Sequence, residues 1–119
     1  MITPIAFDAE NVIGMRIDGR VVAEDMDRIS AMVEERLTRY DKLRVYVEVP
    51  SFEGISIEGF FKDLQLGLRH WHRFEKEAVV SDDQWMHKLA PLGGHLVSGL
   101  EVKVFATREA IAAKAWIVA

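Results

Sequence analysis

The hydrophobic pattern of this chain changes period repeatedly, from about two residues to about 3.6 and back, and few architectures satisfy such a pattern. In LRVYVEV (43–49), Leu43, Val45, Val47 and Val49 alternate with Arg44, Tyr46 and Glu48, which predicts a strand ended by Pro50. Just before it, EDMDRISAMVEERLTRY (24–40) places Met26, Ile29, Val33, Leu37 and Tyr40 on one helical face, with Glu24, Asp25 and Asp27 at the positive end of the dipole. Two short strands precede that helix: ITPIAF (2–7) and VIGMRIDG (12–19), joined by the turn DAEN and closed by Gly19.

The alternation continues to the end. SIEGFFKDLQLGLRHWHRF (56–74) carries Ile57, Phe60, Phe61, Leu64, Leu68 and Trp71 at helical spacing, with Ser56 as N-cap and Ile55 able to staple onto Phe60. EAVVSDD (77–83) reads as a strand covered on both faces, and WMHKLAPLGGHLV (85–97) as a short helix and loop. LEVKVFAT (100–107) is the last strand, and REAIAAKAWIVA (108–119) a helix with Ile111, Ala112, Ala115 and Trp116 facing inward. The order β-β-α-β-α-β-α-β-α predicts a single α/β domain over 1–119, with a mostly parallel mixed sheet, an N-terminal antiparallel hairpin and four helices.

Composition removes several classes of function. With 15 Lys and Arg against 19 Asp and Glu, the chain lacks the basic face that nucleic acid requires. It has no cysteine, so disulfides, thiolate metal sites and cysteine nucleophiles are out. The first residues, MITPIAFDAEN, do not resemble a signal peptide, and no stretch approaches the roughly 20 apolar residues of a membrane span. A cytoplasmic protein, peripheral to a membrane at most, is the expectation.

The candidate sites are few. His70 and His72 point to nearly opposite sides of a helix, and His87 and His95 have no carboxylate at ligand spacing, so no metal is expected. Ser51, Ser56, Ser81 and Ser98 lie outside any Gly-x-Ser-x-Gly elbow, so neither catalysis nor a cofactor is expected. Arg44, Tyr46 and Glu48 would form a polar site if their strand face were buried; the alternation reads as a half-solvated face. Lys62, Arg69 and Arg73 share one side of the long helix, as a solvated face or a contact for anionic headgroups. In 85–97, Trp85, Met86 and Leu89 carry more apolar bulk than one stripe can bury, and Pro91, Gly93 and Gly94 supply a stop and a joint. That segment either closes the open end of the sheet or forms a flap over an apolar cavity lined by Phe60, Phe61 and Trp71.

EAVVSDDQWMHKLAPL leading into LEVKVFATREAIAAKAWI resembles the SpoIIAA-like proteins of the STAS superfamily. The shared features are a strand ending in Ser-Asp before Trp85, a strand ending in Phe105, a closing helix ending in Ala115-Trp116, and the Gly turn and acidic helix start of IDGRVVAEDM. The resemblance implies a STAS-like sheet-and-helix domain without enzymatic activity, a regulatory module that binds partner proteins. It also implies a fold similar to the CRAL-TRIO lipid-binding domains, hence an apolar ligand, a lipid or a membrane surface. A homodimer is compatible with it. Phosphoregulated STAS proteins carry adjacent serines where the middle strand feeds the long helix; here PSFEGISIEG offers Ser56 alone as a phosphosite.

Overall fold

Residues 1–55, 71–82 and 100–119 are described by the structure, a computed structural model. They form one five-stranded sheet in the order β1-β2-β3-β4-β5. The strands are β1 (Ile2–Ile5), β2 (Val12–Val21), β3 (Leu43–Ile55), β4 (Phe74–Val80) and β5 (Glu101–Phe105). β1 runs antiparallel to β2, with Ile2 opposite Ile17, and every other neighbouring pair is parallel. The expected hairpin and the mostly parallel sheet are both present.

Among the described residues there are two α-helices rather than four: α1 (Ala23–Leu37) and α2 (Ala110–Val118). Of the other two expected helices, the short one in 85–97 lies outside the described residues, as does the long one (56–74) up to residue 70, but the long one is corrected at its end. Trp71–Arg73 is a 3-10 turn and Phe74 already begins β4, three residues ahead of the expected strand start. Phe74 is partly buried and packs on the α1 side of the sheet.

Pro50 does not end β3, which runs on to Ile55. The pairing with β2 steps from Arg16–Glu48 to Asp18–Ser51, so β3 carries one extra residue beside Pro50. A bulge spares a proline the ladder bond it cannot make, and β4 has already ended opposite Glu48. Gly19 does not end β2 either: it takes φ 63° at a second step in register, a conformation that suits glycine.

α1 packs as its spacing predicts. Met26, Ile29 and Val33 are buried against Ile13, Met15, Leu43, Val47 and Val49, each worth about 1.5–3 kcal/mol of burial. Val22 at the N-cap has no acceptor to offer. Asp25 supplies the other half of a capping box, accepting from the Val22 N–H at 3.0 Å and from the Ile2 N–H of β1 at 3.3 Å.

α2 is rotated from expectation. Ala113 and Ile117 are its buried residues, while Ile111, Ala112 and Ala115 face solvent and Trp116 is half-buried. Inward, Ala113 and Ile117 meet Val12, Tyr46, Ala78 and Val80 on the second face of the sheet.

Candidate functional site

The second face of the sheet holds the unusual chemistry. On β3 the even-numbered residues Arg44, Tyr46 and Glu48 point toward α2, and each meets a different environment. Arg44 donates to Glu75 at 2.8 Å and to the carbonyl oxygens of Ile117 at 2.8 Å and Ala119 at 2.5 Å. Lys76 joins it, reaching the Trp116 and Ala119 carbonyls at 3.3 and 3.2 Å. The two cations cap the negative end of α2, so Arg44 is structural.

Tyr46 overturns the half-solvated reading of this face, since it is 0% exposed. Phe7, on the loop between β1 and β2, packs edge-on against its ring at 5.2 Å. That approach requires Gly14, where a Cβ would stand 2.6 Å from the Phe7 ring. Among the described residues the Tyr46 hydroxyl is buried without a hydrogen-bond partner, a condition that costs about 1–3 kcal/mol. Burial, and then the charge and acceptor reach of the nearby Glu48, push its pKa well above the ordinary tyrosine value.

Glu48 is half-buried at the end of the β3–β4 pairing, opposite Val80. Its other cross-strand neighbour, Arg16, is paired with Asp18 at 3.3 Å. The cover thins along this row: residues 12–15 of β2 are all buried, whereas Arg16 is exposed. Glu48 thus stands beside the carboxyl end of β4 but within β3, which runs on to Ile55.

α2 shows a second departure from an ordinary surface. Its outer side carries Ile111, 86% exposed, with Ala112, Ala115 and Val118. A helix apolar on both sides is normally covered on both sides. Around this stripe lie Lys114, Arg108 and Lys103, all exposed, and Trp116, whose ring lies 4.8 Å from the Lys76 ammonium and 5.3 Å from that of Lys103.

Most residues singled out in the sequence (Ser56, Phe60, Phe61, Lys62, Arg69, Trp85, Met86 and Leu89) lie outside the described residues. Trp71 opens the 3-10 turn before β4. Arg73 is engaged structurally, donating to the carbonyl oxygens of Leu37, Tyr40 and Asp41 at 3.2, 3.0 and 2.6 Å and so closing the end of α1. Among the described residues no group of three His, Asp or Glu side chains could hold a metal, and no helix is long and apolar enough to cross a membrane. Sequence reasoning grouped Ile111, Ala112 and Ala115 on one face of this helix but turned that face inward, and so missed it as an outer stripe.

An uncharacterized protein of the DUF3478 family from Shewanella loihica PV-4, solved with a SpoIIAA-like fold, is similar in structure. The TM-score is 0.75 and the identity 19%, over 98% of this chain and 92% of that one. No curated protein matches the sequence. Residues 12–118 match the model of the SpoIIAA-like family. Sheet order, parallel register and sequence match agree, and the chain belongs to the SpoIIAA-like family.

Proposed function

We propose that this protein is a non-enzymatic binding module that docks onto an apolar surface, foremost a membrane with anionic headgroups. The observation that carries this reading is the outer side of α2: Ile111, Ala112, Ala115 and Val118 left open to solvent. Lys103, Arg108 and Lys114 around them supply the cationic rim of an interfacial helix, and Trp116 the amphipathic aromatic ring that favours a headgroup region. The expected likeness to CRAL-TRIO lipid-binding domains belongs to this proposal. So does the flap of Trp85, Met86 and Leu89 over Phe60, Phe61 and Trp71, with Lys62 and Arg69 at its rim.

Flotation with phosphatidylglycerol and with phosphatidylcholine vesicles tests it. The wild-type protein is expected to float with the anionic vesicles, and Ile111→Glu to reduce the bound fraction at least tenfold, an estimate from placing a carboxylate in an apolar contact. Wild type that stays at the bottom of the gradient with both vesicle types sinks the membrane reading.

The second reading is a STAS-type regulatory module that binds a protein, with Ser56 as its phosphosite. Family membership supports it, because an apolar helix face suits a protein partner equally well. A second copy of this chain would be the simplest such partner. Sedimentation across concentration, with wild type and Ile111→Glu compared, separates that case from a monomer that binds only lipid.

A further inference from the structure

We propose that two copies of this chain join edge to edge through β5, antiparallel about a twofold axis at Val102. The outer strands β1 and β5 present unlike edges. At β1 the Asp18 N–H donates to the Met1 carbonyl, so strand alternation sends the backbone groups of Ile2 and Pro4 outward. Those of Ile2 are taken, its N–H by Asp25 and its carbonyl by Arg28, and Pro4 has no N–H to offer. That edge is closed to another strand. At β5 the Ser81 N–H donates to the Phe105 carbonyl, and the same alternation sends the backbone groups of Val102 and Val104 outward. Their outward N–H and C=O groups meet no partner among the described residues, and β5 holds no proline. This edge is open.

The side chains choose the occupant. Glu101 and Lys103 are exposed, two apart on the α2 face, and neither has an ion pair among the described residues. Lys76, across the ladder from Glu101, gives its ammonium to the Trp116 and Ala119 carbonyls instead. With the axis at Val102, Glu101 falls opposite the partner's Lys103, and Lys103 opposite the partner's Glu101. On the other face Val102 meets the partner's Val102, and Leu100 meets the partner's Val104. Leu100, Val102 and Val104 are only partly buried in the single chain, so the pairing covers apolar surface as well. An axis at Glu101 or at Lys103 would set like charges against each other, and one at Val104 would leave both charges unmatched. At Val102 alone do backbone, charge and apolar pattern agree. The pairing makes one sheet of two five-stranded ones and keeps both copies of α2 on the same face. It uses none of the outer side of α2, so it stands or falls apart from the membrane reading.

Sedimentation equilibrium across concentration reads the pairing directly. Wild type is expected to associate to a dimer, and Ile111→Glu to associate equally, because the outer side of α2 takes no part. Val102→Pro removes only an outward N–H, a change that an edge strand tolerates, and should weaken the dimer at least about a hundredfold. Glu101→Lys and Lys103→Glu should each weaken it about tenfold or more, by opposing like charges at two symmetric positions. Mixed together, those two variants should associate again, since every opposed pair is then of unlike charge. That arm decides the matter even if Val102→Pro does not fold. Wild type that stays monomeric at the highest concentration that remains in solution overturns the proposal. So does a dimer that survives Val102→Pro, or a mixture of the two charge variants that fails to associate. A dimer lost with Ile111→Glu but kept by the β5 variants would move the interface to α2 and overturn it as well.

Discussion

The two faces of the sheet are built on different principles. Under α1 the contacts are Ile13, Met15, Leu43, Val47 and Val49 against Met26, Ile29 and Val33, side chains without a polar atom among them that needs a hydrogen bond. Under α2 the sheet presents Arg44, Tyr46 and Glu48 among small and aromatic residues, and the helix itself is apolar on the side turned away. One face holds the fold together. The other leaves a buried hydroxyl unbonded and an apolar stripe uncovered among the described residues, two arrangements that stability alone does not favour. Such departures concentrate where a protein does something besides fold.

If this division is right, the largest effects of truncation belong to the α1 face. Leu43 is fully buried there, and Leu43→Ala is expected to cost about 2–5 kcal/mol in urea unfolding. A loss under 1 kcal/mol would break the comparison, because the α1 face would then hold no tighter than its opposite. Trp116 is the matching probe of the α2 face. It is half-buried beside Phe105, with ring centres 6.0 Å apart, so Trp116→Ala should cost about 2 kcal/mol, below the 3–5 kcal/mol of a fully buried aromatic. A loss as large as that of Leu43→Ala would make the two faces equals.

The α1 face is also the legible one. Met26, Ile29 and Val33 alternate with charged residues, so the pattern itself dictates which way the helix turns. In α2 that reference is missing: AIAAKAWIV has one charged residue, and rotating the helix by one position changes little in its apolar pattern. Tertiary contacts choose Ala113 and Ile117, so the exposure of Ile111 is not visible in the sequence. Tyr46 escapes for a related reason. Its alternation with Arg44 and Glu48 looks half-solvated locally, but the cover comes from Phe7 at one end of the chain and α2 at the other. Pro50 and Gly19 mislead because a bulge depends on partner register, which one strand does not reveal. Of the residues expected to bind a ligand or a membrane, only Trp71 and Arg73 fall on described positions.

A smaller effect, dependent on pH, tests the seam joining β1 to α1. Burial opposes ionisation of Asp25, but bonds from the Val22 and Ile2 N–H groups and from Arg28 outweigh it and hold the carboxyl below its usual range. The folded value is thus depressed relative to the unfolded chain. The carboxylate's contribution is fully present above the unfolded pKa of about 3.9 and is lost as pH falls through the lower folded value. Asp25→Ala should therefore cost about 1–2 kcal/mol at pH 7, with the gap to wild type shrinking in acid. A gap that stays constant from pH 7 to pH 3 would show that the carboxylate's charge is irrelevant, leaving only side-chain packing at this seam.

The smallest expected effect is the sharpest test of how α2 is turned. Ile111 and Ala113 are two residues apart, and in a helix that spacing puts them on different sides. Ile111 is 86% exposed and Ala113 is 0% exposed. Replacing Ile111 by Glu removes an apolar side chain from water and adds a good helix former near the positive end of the helix, so its effect on urea unfolding should stay within about 0.5 kcal/mol. Replacing Ala113 by Glu would force a carboxylate toward Tyr46 and Val12, and it should abolish the cooperative transition or cost at least about 3 kcal/mol. The pair reads the rotation without any assumption about ligands. Equal losses would place both residues at the boundary, and a larger loss at Ile111 would turn the helix back to the face its sequence first suggests. With Ile111→Glu folded as firmly as wild type, any change in its vesicle binding reports the surface and not the fold.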